Sequence, residues 1–392
     1  LAVFVFLYSL VSGRVDRMSL SGPIVFVGAG LLMGPMFLGW FPEGETRSTL
    51  RTLADLTLAL FLFTDAANAN LNTLKVRFGI PARLLLLGLP MSILLGFGLA
   101  LVLFDVLTVF EAAILGTMLA ATDAALGKAV VTNPVVPDRL REGLNVESGL
   151  NDGLCVPILF VFIALELGSE TALGEGLVLK LLAEELGVGV LVGLLVAAAG
   201  ACLMRYSARI GWIDPVWSQI TTGALALSCF AIAQSLHGSG YIASFTGGLL
   251  FGHLLRKETA HLIEPAEGIA EVLALLTWFL FGSAVVGQAF SKFTWTIGLY
   301  AVLTLTVVRM LPVYLSMTGS GESARARWFM GWFGPRGMAS IVFAIIVLDE
   351  GLTNAAFMAL VVACTVLMSL VLHGITAWKY AHWLGLHETD HS

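Results

Sequence analysis

Residues 84–104 read LLLLGLPMSILLGFGLALVLF, a stretch without a single charged side chain. A helix of about 20 such residues is long enough to cross the hydrocarbon core of a bilayer. The whole chain has a similar character, because 58% of its 392 residues are hydrophobic and only 12% are charged. Soluble domains carry about 25% charged residues, which cover their surface. The composition therefore predicts an all-α polytopic membrane protein whose solvent is mostly lipid.

Comparable apolar stretches divide the chain into thirteen predicted transmembrane helices. They lie near residues 1–12, 21–40, 52–70, 81–104, 109–130, 141–166, 178–204, 215–236, 239–255, 266–289, 293–317, 327–349 and 353–377. The loops are too short for a soluble domain, so residues 1–392 are predicted to form one transmembrane domain with a short cytoplasmic tail at 379–392. The absence of nucleotide, metal and nucleophile motifs predicts a protein that is not an enzyme and takes no cofactor or nucleic acid.

Lysine and arginine are unevenly divided between the two sides that alternate loops would face. One side carries fourteen of them, and the other carries four, which are Arg47, Arg51, Lys180 and Lys292. The positive-inside rule places the richer side in the cytoplasm. The amino terminus is therefore predicted outside and the carboxyl terminus in the cytoplasm, in a plasma (inner) membrane.

Charged and polar side chains nevertheless fall inside the spans, most densely in the sixth. This cluster reads Asn145-Val-Glu147-Ser148-Gly-Leu-Asn151-Asp152-Gly153. A charge at the bilayer centre costs about 2.5–3.5 kcal/mol, so such charges pair with one another or face a wet cavity. Helical spacing places Glu147 above Asn151, and likewise Ser148 above Asp152, on one broad face. Carboxylate, hydroxyl and amide oxygens suit a hard cation, and the cluster therefore indicates ion transport.

Two other spans contain features that interrupt a helix. The fifth contains Ala121-Thr122-Asp123-Ala124, and the twelfth contains Phe333-Gly334-Pro335-Arg336-Gly337. Interruptions at matching positions of two halves point to a transporter's binding site. They predict two inverted six-helix repeats with interrupted crossing helices, at about 1–167 and 215–378, joined by a linking helix at about 178–204. In that arrangement Asp123 would face positive helix N-termini, and Arg336 would face negative C-terminal ends.

Together these motifs resemble the NhaP-type branch of the cation/proton antiporter superfamily, which includes the animal sodium/proton exchangers. The resemblance covers nearly the whole chain in span number, order and orientation. It is carried by Thr122-Asp123, Glu147-Ser148-Gly-Leu-Asn151-Asp152, Arg309 and Gly334-Pro-Arg336-Gly337. The chain departs from the family's pattern at Ala124, where the family usually has proline. Because alanine keeps the backbone donor that proline lacks, the fifth span has less local cause to unwind.

The resemblance implies that Asp152 binds the cation and the proton in turn. Thr122, through its backbone carbonyl, and Ser148 would complete the shell of a sodium ion, with Glu147 nearby. Asp123 would polarise the site from the unwound segment. Bound sodium and bound proton would exclude one another because each neutralises the same charge.

Structural roles are implied for the remaining motif residues. Glu147 would pair with Arg309 on the eleventh span, and Arg336 would balance the helix dipoles at the interruption of the twelfth span. Asn151 stands beside Asp152 where electrogenic relatives have a second aspartate, so the resemblance implies electroneutral exchange of one cation per proton. It also implies a homodimer in the lipid bilayer.

The predicted function is exchange of sodium for protons by alternating access, and three alternatives remain open. Potassium or lithium is an alternative cargo for the same mechanism, since ligand type alone does not fix selectivity. In an ion channel, the polar face would line a continuous pore, whereas a sensor or scaffold would leave the intramembrane charges unexplained. Asp65 is a further acid of interest because Asn68 and Asn70 follow it closely, although the sequence assigns it no chemistry.

Overall fold

The computed structural model describes residues 1–17, 21–41, 43–69, 79–123, 126, 135–170, 175–255, 259–287 and 292–388. Across these residues the chain forms fourteen helices and no strand, which confirms the predicted all-helical class. The first seven are α1 (Ala2–Arg17), α2 (Gly22–Met33), α3 (Glu43–Asn68), α4 (Gly79–Leu103), α5 (Val109–Met118), α6 (Asp138–Glu170) and α7 (Glu175–Arg209). The others are α8 (Pro215–Ser235), α9 (Gly240–Leu254), α10 (Thr259–Phe281, continued by a π-helical turn at Gly282–Val286), α11 (Trp295–Ser316), α12 (Ala324–Trp332), α13 (Met338–Asp349) and α14 (Ala355–Glu388).

The helices follow the predicted spans one for one, except that the twelfth span is divided between α12 and α13. In the described part of the chain, six helices are long and apolar enough to cross a membrane by themselves, namely α4, α6, α7, α10, α11 and α14. Shorter apolar helices include α2, α5 and α13. Helix α4 contains a π-helical turn at Leu84–Gly88 within the stretch that first indicated a membrane protein.

Glycines allow the helices around α3 to pack with their backbones in contact. A β-carbon built on Gly248 of α9 would lie 2.2 Å from the carbonyl oxygen of Phe63, and one on Gly252 would lie 2.1 Å from that of Ala67. Both carbonyls belong to α3, so α9 approaches α3 more closely than any side chain would permit. Helices α3, α9 and α10 therefore form one tightly packed unit.

The packing sorts the helices into two groups. Helices α2, α3, α8, α9 and α10 pack together, and so do α4, α5, α6 and α11 to α14, while α7 lies against α6, α8 and α9. Each group combines helices from both halves of the chain. The groups meet where α3 faces α6 and α13. The division into repeats at 1–167 and 215–378 stays a prediction.

The twelfth span is interrupted as the sequence predicts. Helix α12 ends at Trp332, residues 333–337 are not helical, and α13 begins at Met338. A Pro335 carbonyl in this segment accepts a hydrogen bond of 2.8 Å from the backbone N–H of Asp123. The extended segments of two different spans therefore touch in the interior of the protein.

The fifth span ends its first helix at Met118, and residues 121–123 continue without helical structure. Helix α5 begins with a capping box, in which Thr108 and Glu111 each accept a hydrogen bond from the other's backbone N–H. Ala124 lies outside the described residues, so the expectation attached to the missing proline stays a prediction.

Candidate ion-binding site

A cavity of about 300 Å³ lies where α3, α6, α10 and α13 meet the extended end of the fifth span. It is lined by Leu58, Phe61, Asp65, Asn68, Ala69, Thr122, Asp123, Asn145, Val146, Ser148, Gly149, Asp152, Glu267, Glu271, Met338 and Ala339. Asn68, Asn145 and Glu271 are exposed, so the cavity opens to the surface on their side. Among the residues that the structure describes, its wall carries five carboxylates and no basic side chain, and it is therefore suited to a cation.

Asp152 places an unsatisfied acceptor in this cavity. Its Oδ1 atom is buried and has no hydrogen-bond partner among the described residues. The carboxylates of Asp123, Asp65 and Glu147 act on it electrostatically, and the Arg336 guanidinium opposes them. A buried polar atom without a partner is costly, and an incoming cation or proton would remove that cost.

Thr122 is held against α6 by two side chains of the polar cluster. The Ser148 hydroxyl donates a hydrogen bond of 2.6 Å to the Thr122 carbonyl, and the Asn151 amide donates to the Thr122 hydroxyl. A carbonyl oxygen has a second lone pair, so the Thr122 carbonyl keeps the capacity to bind a cation. Thr122, Ser148 and Asp152 therefore present oxygen atoms to one cavity.

Two residues predicted at the binding site do not line the cavity. Asn151 is fully buried, and its amide lies between the Thr122 hydroxyl and a Glu147 carboxylate oxygen 3.4 Å away. Glu147 faces Arg309 instead of the cavity. Adjacent positions on a helix point in directions about 100° apart, so Asn151 turns away while Asp152 faces the cavity.

Glu147 and Arg309 form a bidentate ion pair, with distances of 2.7 and 2.8 Å from the guanidinium nitrogens to the two carboxylate oxygens. Both side chains are buried, and the pair joins α6 to α11. Arg309 directly follows a π-helical turn at Thr304–Val308. Gly334 belongs to the non-helical segment 333–337, called the crossing below. It lies over the guanidinium, because a β-carbon there would be 2.2 Å from Arg309 Nε.

Arg336 and Asp123 interact with opposite ends of the interrupted spans. Arg336 Nη1 donates to the carbonyls of Ala120 (2.6 Å) and Ala121 (3.0 Å), just beyond the end of α5. The Asp123 carboxylate accepts a hydrogen bond of 2.9 Å from the backbone N–H of Met338, the first residue of α13. Each charge therefore lies at the helix end of opposite partial charge.

Asp65 is the cavity residue to which sequence reasoning assigned no role. It lies on α3 and lines the same cavity as Asp152. Gly149 of α6 permits this approach, because a β-carbon there would lie 3.2 Å from the Asp65 β-carbon. The nearby Asn68 amide hydrogen-bonds Glu267 at the cavity mouth. In the sequence, Asn68 and Asn70 shortly after Asp65 were the feature that pointed to this acid, whereas no sequence feature pointed to Glu267.

The chain is similar in sequence to known cation/proton exchangers. The family model for the transmembrane sodium/hydrogen exchangers matches residues 2–380. The K(+)/H(+) antiporter NhaP of Alkalimonas amylolytica is 23% identical over 381 residues, covering 96% of this chain and 64% of that protein. Na(+)/H(+) antiporter 2 of Zygosaccharomyces rouxii is 26% identical over 378 residues, covering 90% of this chain and 46% of that protein.

A solved structure has a similar fold. The sodium proton antiporter MjNhaP1 from Methanocaldococcus jannaschii at pH 8 matches with a TM-score of 0.77 at 21% identity, covering 95% of this chain and 97% of that chain. At this identity the likeness establishes the fold alone.

The chain spans 64% of the length of the Alkalimonas relative and 46% of the Zygosaccharomyces relative. Its long apolar helices and its family match make it an integral membrane protein. Because the family model covers nearly all of its length, the chain belongs to the transmembrane sodium/hydrogen exchanger family.

Proposed function

We propose that the chain exchanges a monovalent cation, sodium, for protons, and that Asp152 binds both in turn. The observation that carries this proposal is a buried Asp152 oxygen that has no hydrogen-bond partner in the described part of the chain and lies in a cavity that reaches the surface. The adjacent oxygen atoms of Thr122 and Ser148 support it, since sodium prefers oxygen ligands. Membership of the exchanger family supports it too.

Coupling follows from competition for one carboxylate. A sodium ion or a proton at Asp152 neutralises the same charge, so the two exclude each other. An empty site retains a buried, unpaired charge, whose transfer across the protein interior costs several kcal/mol. Only a site that holds an ion can change from facing one side of the membrane to facing the other. Each such change with sodium bound is balanced by one with a proton bound. Alternating access thus needs no separate gate for each ion.

The other polar residues divide between binding and support. Thr122 supplies its carbonyl and Ser148 its hydroxyl to the ion, while Asp123 polarises the site from its position at the start of α13. The pairing of Glu147 with Arg309 supports a structural role for both. The neutral Asn151 leaves Asp152 as the one exchanging acid of the pair, which supports an electroneutral exchange of one cation per proton.

The cavity mouth at Asn145 lies on the side that the distribution of lysine and arginine assigns to the cytoplasm. The proposed orientation therefore has the amino terminus outside, the carboxyl terminus inside and the cavity open inward, in a plasma (inner) membrane. A homodimer is proposed on the family resemblance alone.

Potassium is the second candidate cargo. The Alkalimonas relative is named for potassium/proton exchange, and the Zygosaccharomyces relative for sodium/proton exchange. Carboxylate and carbonyl oxygens bind both ions, and discrimination depends on the size and rigidity of the cavity. Sodium remains the first candidate because the family model and the similar structure both carry that cargo in their names.

The test is cation-driven proton movement in liposomes that contain the purified protein, with sodium, potassium and lithium compared. We expect saturable exchange with sodium that is insensitive to an imposed membrane voltage. Asp152→Asn should abolish exchange while the protein still folds and elutes as the wild type does. Asp105→Asn, at an exposed turn outside the cavity, serves as the control and should keep exchange. Sodium-dependent proton movement by Asp152→Asn would refute the shared site.

A further inference from the structure

The extended segment at 333–337 raises the question of what binds its backbone. Non-helical backbone at membrane depth is tolerated only where protein or water satisfies its polar groups. On one side Asp123 does so, since it donates to the Pro335 carbonyl and accepts from the Met338 N–H. The partners on the other side come from α14, a helix with no predicted role in exchange.

Helix α14 contributes two buried side chains, Ser369 and His373, which lie four residues apart on one face. The Arg336 backbone N–H donates a hydrogen bond of 2.7 Å to the Ser369 hydroxyl. His373 Nε2 lies 2.9 Å from the Trp332 carbonyl, at the end of α12. The Ser369 hydroxyl and His373 Nδ1 are 3.1 Å apart. Two α14 residues thus hold both ends of the non-helical stretch.

Both ring nitrogens of His373 lie 2.9 Å from a backbone carbonyl, so the tautomer decides which contact carries the ring proton of a neutral imidazole. Ser369 accepts from the Arg336 N–H, so its own hydroxyl proton is available to His373 Nδ1. In the Nε2–H tautomer the ring proton is donated to the Trp332 carbonyl, which also accepts the backbone N–H of Gly334. In the Nδ1–H tautomer the ring proton would instead be donated to the Ser369 carbonyl, within α14. The hydrogen bond from the Arg336 N–H to Ser369 is the same in both tautomers.

Arg336 connects Ser369 to the segment that carries a proposed ligand of the cation. Its backbone is held by Ser369, while its side chain donates to the carbonyls of Ala120 and Ala121. Ala121 is followed directly by Thr122, which lines the cavity together with Asp152 and whose carbonyl is a proposed ligand of the cation. A displacement of the crossing away from α14 would therefore move the Thr122 carbonyl relative to Asp152.

We propose that Ser369 and His373 are positioning residues for exchange, which fix the crossing so that Thr122 stays in register with Asp152. This proposal rests on the proposed cation/proton exchange. Neither side chain lines the cavity, so both act through Arg336 and Trp332. Their loss should weaken cation binding without removing any proposed ligand of the cation.

The experiment measures the sodium concentration for half-maximal exchange in liposomes, with rates normalised to folded protein. Ser369→Ala and His373→Asn should each raise that concentration about three- to tenfold, as expected for one lost hydrogen bond. Ser369→Thr keeps the hydroxyl, and His373→Gln can still donate to the Trp332 carbonyl, so both should return it toward the wild-type value. Thr365→Val is the matched control, because Thr365 is buried on α14 and its one hydrogen bond within the described ranges goes to the Val361 carbonyl of its own helix.

The outcomes separate positioning from mere structural support. Unchanged half-saturation in Ser369→Ala and His373→Asn, or a loss confined to protein yield, would overturn the positioning role. If Ser369→Ala or His373→Asn fails to fold, a different measurement replaces half-saturation. The thermal stabilisation by sodium is then measured for purified Ser369→Thr and His373→Gln and compared with wild type. Complete loss of that stabilisation in both would then contradict the proposal. A wild-type chain without any exchange would refute the proposed function itself, whereas active wild type with unshifted variants refutes only this inference.

Discussion

The three acids nearest the crossing differ in what their oxygen atoms contact. The Glu147 carboxylate binds the Arg309 guanidinium, and that of Asp123 accepts the Met338 N–H. Asp152 has a buried oxygen without any hydrogen-bond donor among the described residues. A carboxylate that already has donors gains little from a new partner. Asp152 is therefore the acid to which a cation or proton contributes most.

At the residue scale, Glu147→Gln should destabilise the protein strongly. The substitution leaves the Arg309 guanidinium buried without its counter-charge, and breaking a buried pair in this way costs about 3–5 kcal/mol. We expect a clear drop in the thermal unfolding temperature of the purified protein in detergent. The double variant Glu147→Gln, Arg309→Gln removes both charges and should recover most of the loss. An unfolding temperature equal to wild type in the single variant would contradict a structural role for the pair.

At the scale of elements, the crossing joins helices that are distant in sequence. The start of α13 is bonded by Asp123 of the fifth span, and the end of α12 by His373 of α14. Local sequence supplies the interruption through Gly334, Pro335 and Gly337. The hydrogen-bond partners that satisfy this non-helical backbone inside the membrane come from other parts of the chain.

Gly337→Ala tests the closest of these contacts. A β-carbon at Gly337 would lie 2.0 Å from Asp123 Oδ2, so the carboxylate or the start of α13 must move. Since small displacements in positioned sites cost activity steeply, we expect exchange to fall at least about tenfold in the liposome assay. Gly268→Ala on α10, which has open space around its β-carbon position, should leave exchange unchanged. Equal activity of the two variants would argue against a fixed Asp123–α13 contact.

At the scale of the whole molecule, the two helix groups enclose the cavity between them. The cavity mouth is formed by residues that include Asn68 and Asn145. Elsewhere on their contact surface, Arg51 of α3 pairs with Asp349 at the end of α13. By the predicted topology these two lie on the opposite side of the membrane from the mouth. The two helix groups are therefore separated at the cavity mouth and joined by the Arg51–Asp349 ion pair on the opposite side.

Thiol labelling would test this orientation. Asn145→Cys is placed in a Cys202→Ser background, because Cys202 is exposed and the other three cysteines are buried. A membrane-impermeant maleimide should label it in inside-out vesicles and leave it unlabelled in intact cells. Asp105→Cys, at the exposed turn between α4 and α5, should show the opposite pattern. Labelling of Asn145→Cys from the outside would reverse the proposed topology.

Four properties could be predicted from the amino-acid sequence: the helical class, the order of the helices, the interruption of the twelfth span and the grouping of Ser148 with Asp152. These properties depend on composition, on local breakers and on the spacing of residues within one helix. Only the tertiary structure brought Asp65 into the cavity, turned Asn151 away from it and set His373 against the crossing. Helical periodicity fixes which residues of one helix share a face, but the rotation of one helix against another is decided by packing, through close approaches such as that of Gly149 to Asp65.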